Sequence, residues 1–116
     1  MAIPHAQTGD VIDVRPLGTA LAQAKTTTLV KTAKLEVIRL VIPAGKQIPT
    51  HTVQEEITVH CLEGQVVFMA DGAAHDLEAG RMLYLASGTP HSLLGVVDAS
   101  LLLTIRVADY YIVGEK

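Results

Sequence analysis

The fold of this chain is decided by residues 45–64, which read GKQIPTHTVQEEITVHCLEG. A second stretch with a related layout, residues 80–95, reads GRMLYLASGTPHSLLG. Each stretch begins with a glycine turn, contains a histidine (His51 or His91) and closes on another glycine. Because glycine tolerates positive φ angles, this layout predicts strands that are separated by tight turns.

The rest of the sequence also reads as short strands with frequent turn signals. Apolar and β-branched residues fill the segments that are typical of strands, which are residues 26–32, 35–42, 57–62, 65–70, 74–77, 82–86, 91–97 and 101–107. Asp71-Gly72 is a hairpin signal, and Glu63-Gly64 indicates another turn. Helical turns, one or two of them, are suggested at residues 17–25. Turn signals at about every 8–12 residues favour an all-β sandwich or barrel.

The composition fits one compact domain over residues 1–116, with 49% hydrophobic and 18% charged residues. The net charge of −3 comes without a run of lysine or arginine, so we expect no nucleic-acid partner. We also expect no membrane partner and a cytoplasmic location, because no segment has the length of a membrane span and residues 1–13 lack a signal-peptide pattern. The lone cysteine, Cys61, lies in an apolar strand pattern and is expected to be buried.

The two glycine-bounded stretches resemble the two sequence motifs of the cupin family. The positions that match these motifs are Gly45, His51, Gly64, Gly80, Gly88 and His91. The positions that depart from them are Val53 for a second histidine, Ile57 for a glutamate, Ala86 for a proline and Gly95 for an asparagine. The resemblance is therefore strong for the fold, whereas two of the four customary metal-ligand positions are changed.

This resemblance implies an all-β fold, the cupin double-stranded β-helix or jelly-roll barrel of antiparallel strands, with its core over about residues 35–107. It implies a cavity that holds one divalent transition metal (Zn, Fe, Mn or Ni), a small-molecule ligand, or both. No phosphate-cradling glycine loop is present, so we expect no nucleotide cofactor. Small cupins commonly dimerise, and an apolar strand predicted at residues 11–14 and the apolar residues 110–113 suggest contacts in a homodimer.

Two strand registers are open for the remaining metal ligands. In the register that the family implies, Ile57, Val59 and Cys61 face the cavity and His60 faces away. A bulge at the start of this strand would instead turn Glu56 and His60 inward, because a slip of one residue exchanges the two faces. The second register would give a metal set of His51, Glu56, His60 and His91, since imidazole and carboxylate groups bind first-row metals.

Three functions are compatible with these residues, and the sequence does not decide whether the protein is an enzyme. The first is a metal-dependent, dioxygenase-like cupin. The second is a sensor or carrier that binds a small molecule without a metal, which the loss of two ligand positions to Val53 and Ile57 favours. The third is a structural barrel filled by its own side chains. Outside the cavity, we expect Glu63 to be solvated and Arg39 to face outward or an interface.

Overall fold

The computed structural model describes residues 4–107, and these residues form a seven-stranded antiparallel sheet that folds into a barrel. A 3₁₀ helix at Gly18–Gln23 precedes the strands. The seven strands are β1 (Thr27–Lys31), β2 (Leu35–Ile42), β3 (Gln47–His51), β4 (Glu56–Ala70), β5 (Ala73–Glu78), β6 (Met82–Leu85) and β7 (His91–Arg106). Among residues 4–107, no helix combines the length and the apolar character that crossing a membrane requires. The suggested dimer contact at residues 110–113 lies outside the described residues.

Two long strands, β4 and β7, form the frame of the barrel. They pair from Glu56 opposite Arg106 to Ala70 opposite His91. In one half of the barrel β2 and β1 extend the sheet beyond β7 and β6 pairs with β4, whereas in the other half β3 pairs with β7 and β5 with β4. Register shifts between Cys61 and Val66 bend the ladder where the two halves meet, because bulges increase local twist and bending.

The barrel encloses an aliphatic core that follows the period-2 alternation of the strands. On β4, Ile57, Val59 and Cys61 point inward and are almost fully buried, as the family register implies. The same alternation continues after the bend with Val66, Phe68 and Ala70. The predicted burial of Cys61 is confirmed, and the all-β antiparallel fold expected from the sequence is the one observed.

Several local predictions are confirmed and others are corrected. The Asp71-Gly72 hairpin is present, with φ of 52° and 75° at the two turn residues. Glu63-Gly64, however, does not end a strand, because it lies in the bulged bend of the continuous β4, and β7 likewise joins the two segments predicted at residues 91–97 and 101–107. Residues 11–14 form no strand, and β3 was not predicted, since Pro49 interrupts its short alternating pattern.

Candidate functional site

An apolar cavity of about 170 Å³ lies between the two halves of the barrel. Its lining residues are Leu40, Ile48, His51, Val53, Ile57, Val59, Phe68, His91, Leu93, Leu103 and Ile105. All of them except the two histidines have hydrocarbon side chains. Val53 and Ile57, which replace customary metal ligands of the family motif, contribute directly to this apolar wall. The cavity can therefore enclose a small, largely apolar molecule.

The two histidines lie side by side in the lining of this cavity. His51 ends β3, His91 begins β7, and the two residues are paired in the ladder between those strands. Their ring centroids are 4.3 Å apart and the rings are tilted by 58°. His91 is buried and stacks against Phe68 at a centroid distance of 6.2 Å, whereas His51 is exposed. The pair thus connects the apolar interior with the mouth of the cavity.

Backbone carbonyls fix the tautomer of both rings. The Nδ1 atom of His51 lies 3.1 Å from the Pro49 carbonyl oxygen, and Nδ1 of His91 lies 2.9 Å from the Thr89 carbonyl oxygen. Since a carbonyl oxygen only accepts hydrogen bonds, each Nδ1 must carry the proton and donate it. Each neutral ring then keeps a lone pair on Nε2. Neither Nε2 atom takes part in a hydrogen bond among the described residues.

This arrangement fits two of the ligands of a metal ion, but not a complete set. A backbone carbonyl that holds Nδ1–H leaves Nε2 ready to coordinate, as in many metal-binding histidines. Within residues 4–107, however, no group of three or more histidine, cysteine, aspartate or glutamate side chains is placed to hold one ion. A metal held by His51 and His91 would therefore need water or a bound molecule at its remaining positions.

The structure does not bring Glu56 and His60 to the two cavity histidines. The ladder from Glu56 to Cys61 is regular, so no bulge turns these side chains inward, and the second register considered above is corrected. Glu56 is exposed and accepts a hydrogen bond of 2.5 Å from the Tyr84 hydroxyl, which raises the pKa of Tyr84. His60 lies on the same outer face of β4 as Thr58, and its cross-strand neighbours are Met82 and Leu102.

A buried polar cluster, formed by Arg39, Glu63 and Ser100, lies outside the cavity and was not anticipated. Glu63 was expected to be solvated, but its side chain is only 13% exposed, and Arg39, expected to face outward or an interface, has a side chain only 8% exposed. Ser100 donates a 2.5 Å hydrogen bond to Glu63 and accepts one of 3.3 Å from Arg39. The charge of Arg39 within an apolar strand pattern was the available signal that it has a buried partner, because buried charges are normally paired, but it did not identify that partner.

The environment of Glu63 favours its ionised form. Burial acts to raise the pKa of Glu63, but hydrogen bonds from the Leu17 amide, the Ser100 hydroxyl and the Gly18 amide, together with the charge of Arg39, outweigh burial. The pKa of Glu63 is consequently lowered. The carboxylate therefore serves as an acceptor for this cluster rather than as a proton donor for the cavity.

Comparison with known proteins identifies the family and related folds. The family model described as "Cupin domain" matches residues 38–105, more than half of the chain. No curated protein matches the sequence. A conserved protein of unknown function from Streptococcus pyogenes is similar in structure, with a TM-score of 0.72, 20% identity, and coverage of 94% of this chain and 96% of that chain.

Two further solved structures show the same fold. A cupin superfamily protein from Desulfitobacterium hafniense has a TM-score of 0.72 and 14% identity, covering 89% of this chain and 100% of that chain. A salicylate 1,2-dioxygenase variant from Pseudoaminobacter salicylatoxidans has a TM-score of 0.66 and 19% identity, covering 70% of this chain but 25% of that chain. At these identities the likeness concerns the fold, and it does not transfer an activity.

Proposed function

The chain belongs to the cupin domain family, and from this premise we propose that its barrel binds a small, largely apolar molecule, with His51 and His91 as the polar anchor. The anchor acts either directly, through hydrogen bonds to the molecule, or through a divalent metal ion that both imidazoles hold. The protein is proposed to act in the cytoplasm as a homodimer.

One observation carries the proposal, namely that two adjacent histidine rings, each with its Nδ1 proton held by a backbone carbonyl, line an otherwise hydrocarbon cavity. Both Nδ1 protons are committed to backbone carbonyls, so the paired rings offer acceptors and no donor to each other. Two acceptors on adjacent rings that line a hydrocarbon cavity can be satisfied together by one bound group, such as a hydroxyl donor or a cation. A cavity of about 170 Å³ suits a compact molecule, since an engineered cavity of about 150 Å³ holds benzene.

If the two histidines hold a divalent metal ion, that ion would supply Lewis-acid chemistry in the cavity. His51 and His91 would hold the ion through Nε2, and the Pro49 and Thr89 carbonyls would orient the rings. The fold also occurs in a salicylate 1,2-dioxygenase, so oxygen-dependent turnover is the activity to screen if a metal is found. The absence of a third ligand side chain within residues 4–107 favours direct small-molecule binding as the simpler form.

The test begins with untagged protein purified without chelator, analysed for metals by elemental analysis and for small molecules by native mass spectrometry. Binding of Zn²⁺, Mn²⁺, Fe²⁺ and Ni²⁺ is then measured by calorimetry for the wild type and for His51→Ala and His91→Ala. We expect each variant to lose the bound metal or molecule while staying folded. His60→Ala is the matched control, because His60 lies on the opposite face of β4 and should retain full binding.

The outcomes separate the two forms of the proposal. A stoichiometric metal that both cavity variants lose supports the metal form, whereas a co-purified molecule in metal-free protein supports the direct form. Full binding in both His51→Ala and His91→Ala would contradict the anchor. Protein that carries nothing and takes up no metal would contradict the proposal and leave the structural barrel as the interpretation.

A further inference from the structure

The Arg39–Glu63–Ser100 cluster grips the main chain of the segment that precedes the first strand. Arg39 donates hydrogen bonds of 3.3 Å and 3.1 Å to the carbonyl oxygens of Asp13 and Arg15. Glu63 accepts hydrogen bonds of 2.9 Å and 3.1 Å from the amides of Leu17 and Gly18. The Arg39 guanidinium thus donates to two carbonyls, and the Glu63 carboxylate accepts from two amides, of one short segment. We name this segment, residues 13–18, the strap.

This attachment is mainly polar. Of the described residues that precede β1, residues 4–26, Leu21 alone belongs to the buried hydrophobic residues. By contrast, the barrel core is formed by the strands, with Val59, Val66 and Leu101 almost completely buried. The strap therefore contributes little apolar area to the fold, and its position depends on the charge and hydrogen bonds of the cluster.

We propose that residues 13–18 form a releasable strap, that the Arg39–Glu63–Ser100 cluster is its latch, and that loss of the Glu63 charge detaches the strap while the barrel stays folded. Release uncovers Arg39 and Ser100, which are 6% and 0% exposed when the strap is closed. The hydrogen bonds from the latch to the strap go to main-chain carbonyls and amides. Opening would thus expose a charged site on the outer face of β2, β4 and β7.

A single substitution, Glu63→Gln, is expected to open the latch. Glu63 receives three hydrogen bonds and lies 4.0 Å from Arg39, so its neutral amide analogue would lose the charge-assisted part of every contact. The glutamine amino group would also face amide donors of the strap. Hydrogen bonds to charged groups contribute more to stability than neutral ones, so the strap should be the first region to open.

The experiment is hydrogen exchange of the full chain, resolved at single amides by NMR. For Glu63→Gln we expect the Leu17 and Gly18 amides to exchange at least about tenfold faster than in the wild type, while the buried amides of Val59 and Val66 keep their protection. Glu78→Gln is the matched control, since Glu78 is exposed on β5 and should leave all four amides unchanged.

A second variant, Ser100→Ala, tests the same latch with a smaller change, because it removes the hydroxyl that joins Arg39 and Glu63. We expect faster exchange at the same two amides and intact barrel protection. The proposal is overturned if Leu17 and Gly18 exchange at the wild-type rate in both variants. It is also overturned if the barrel amides lose protection together with the strap in Ser100→Ala, because strap and barrel would then open as one unit.

Discussion

At the residue scale, neighbouring backbone groups determine what each polar side chain can do. His51 and His91 each donate Nδ1–H to a carbonyl two residues earlier, so the turn that presents the ring also selects its tautomer. Glu63 instead accepts hydrogen bonds, because amide and hydroxyl donors surround its carboxylate oxygens. Local geometry thus provides two acceptors in the cavity and one carboxylate in the latch.

The tautomer of the cavity histidines can be measured directly. In metal-free protein at alkaline pH, we expect both rings to be in the Nδ1–H form, because each Nδ1 faces a carbonyl oxygen. Long-range ¹H–¹⁵N NMR correlation distinguishes the two tautomers. An Nε2–H form in either ring would mean that its Nδ1 does not donate to the backbone, and the acceptor pair would be lost.

The attachment of the strap to the barrel should depend on pH and weaken as the pH falls. The folded-state pKa of Glu63 is lowered from 4.5, so its stabilising contribution is present above about pH 4.5 and is lost as the pH falls through the folded pKa. The groups that contact the Glu63 carboxylate are Arg39 of β2, Ser100 of β7 and the two strap amides, and the Cys61 thiol donates to the Glu63 backbone carbonyl. On the strap, the pKa of Asp13 is also lowered, by hydrogen bonds from Arg15. An NMR pH titration should show the Leu17 and Gly18 amide signals shifting with Glu63, and signals that do not move below pH 4.5 would contradict this.

At the element scale, the bend of β4 and β7 decides the shape of the barrel. Gly64 lies in this bend with φ of 82°, and a Cβ atom there would be 2.0 Å from the Asp98 carbonyl oxygen and 2.7 Å from Ala99 Cα. The close approach of the two backbones therefore requires glycine. Both long strands can turn from one half of the barrel to the other while they remain paired.

Replacing Gly64 with alanine should be among the more damaging small substitutions in the chain. The positive φ costs about 1–2 kcal/mol for a residue with a Cβ, and relieving the clash with the β7 backbone adds about 1–3 kcal/mol. Gly88→Ala is the matched control, because Gly88 has φ of 75° but open space around the added Cβ, so only the first cost applies. Urea unfolding of both variants measures the difference. Equal free energies of unfolding would show that the β7 backbone moves aside without cost.

Sequence reasoning reached the strands and the histidine pair but not the bend or the latch. The period-2 pattern of β4 placed Ile57, Val59 and Cys61 on one face, and the family resemblance implied that this face points inward, as observed. Glu63-Gly64 has the composition of a turn, and only its pairing with β7 shows that the strand continues. Arg39, Glu63 and Ser100 meet through β2, β7 and β4, and no local pattern records such a contact between distant residues.

At the scale of the whole molecule, the barrel leaves a group of apolar residues exposed on the outside of the half that contains β3 and β5. Met69, Leu94 and Val97 are 49%, 39% and 49% exposed and lie on the outside of the half that contains β3 and β5. Leu94 lies opposite Val67 in the ladder, so the apolar surface continues from β7 to β4. Exposed apolar patches of this kind commonly lie at protein–protein contacts.

We expect the protein to be a homodimer, with a mass in light scattering of twice the 12.4 kDa of the single chain. Leu94→Lys should shift the protein toward the monomer, because it places a charge on the apolar outer face. Met82→Lys is the matched control, since Met82 is 65% exposed but lies on β6 in the other half. A wild-type monomer at high concentration would contradict the dimer. A monomer produced by Met82→Lys alone would place the contact on the other half.

Because β4 and β7 run unbroken through both halves of the barrel, the two halves cannot separate by a hinge motion. The two shared strands set the volume of the cavity between the halves. Ligands of different size must therefore be accommodated at the mouth of the cavity and not by movement of its walls. The mouth contains the exposed ring of His51, whereas His91 and Phe68 are fixed in the wall behind it. We expect binding to be lost abruptly once a ligand exceeds the size of the cavity. Substitutions at Val53 or Leu40, which line the cavity, would change this size limit without disturbing β4 and β7.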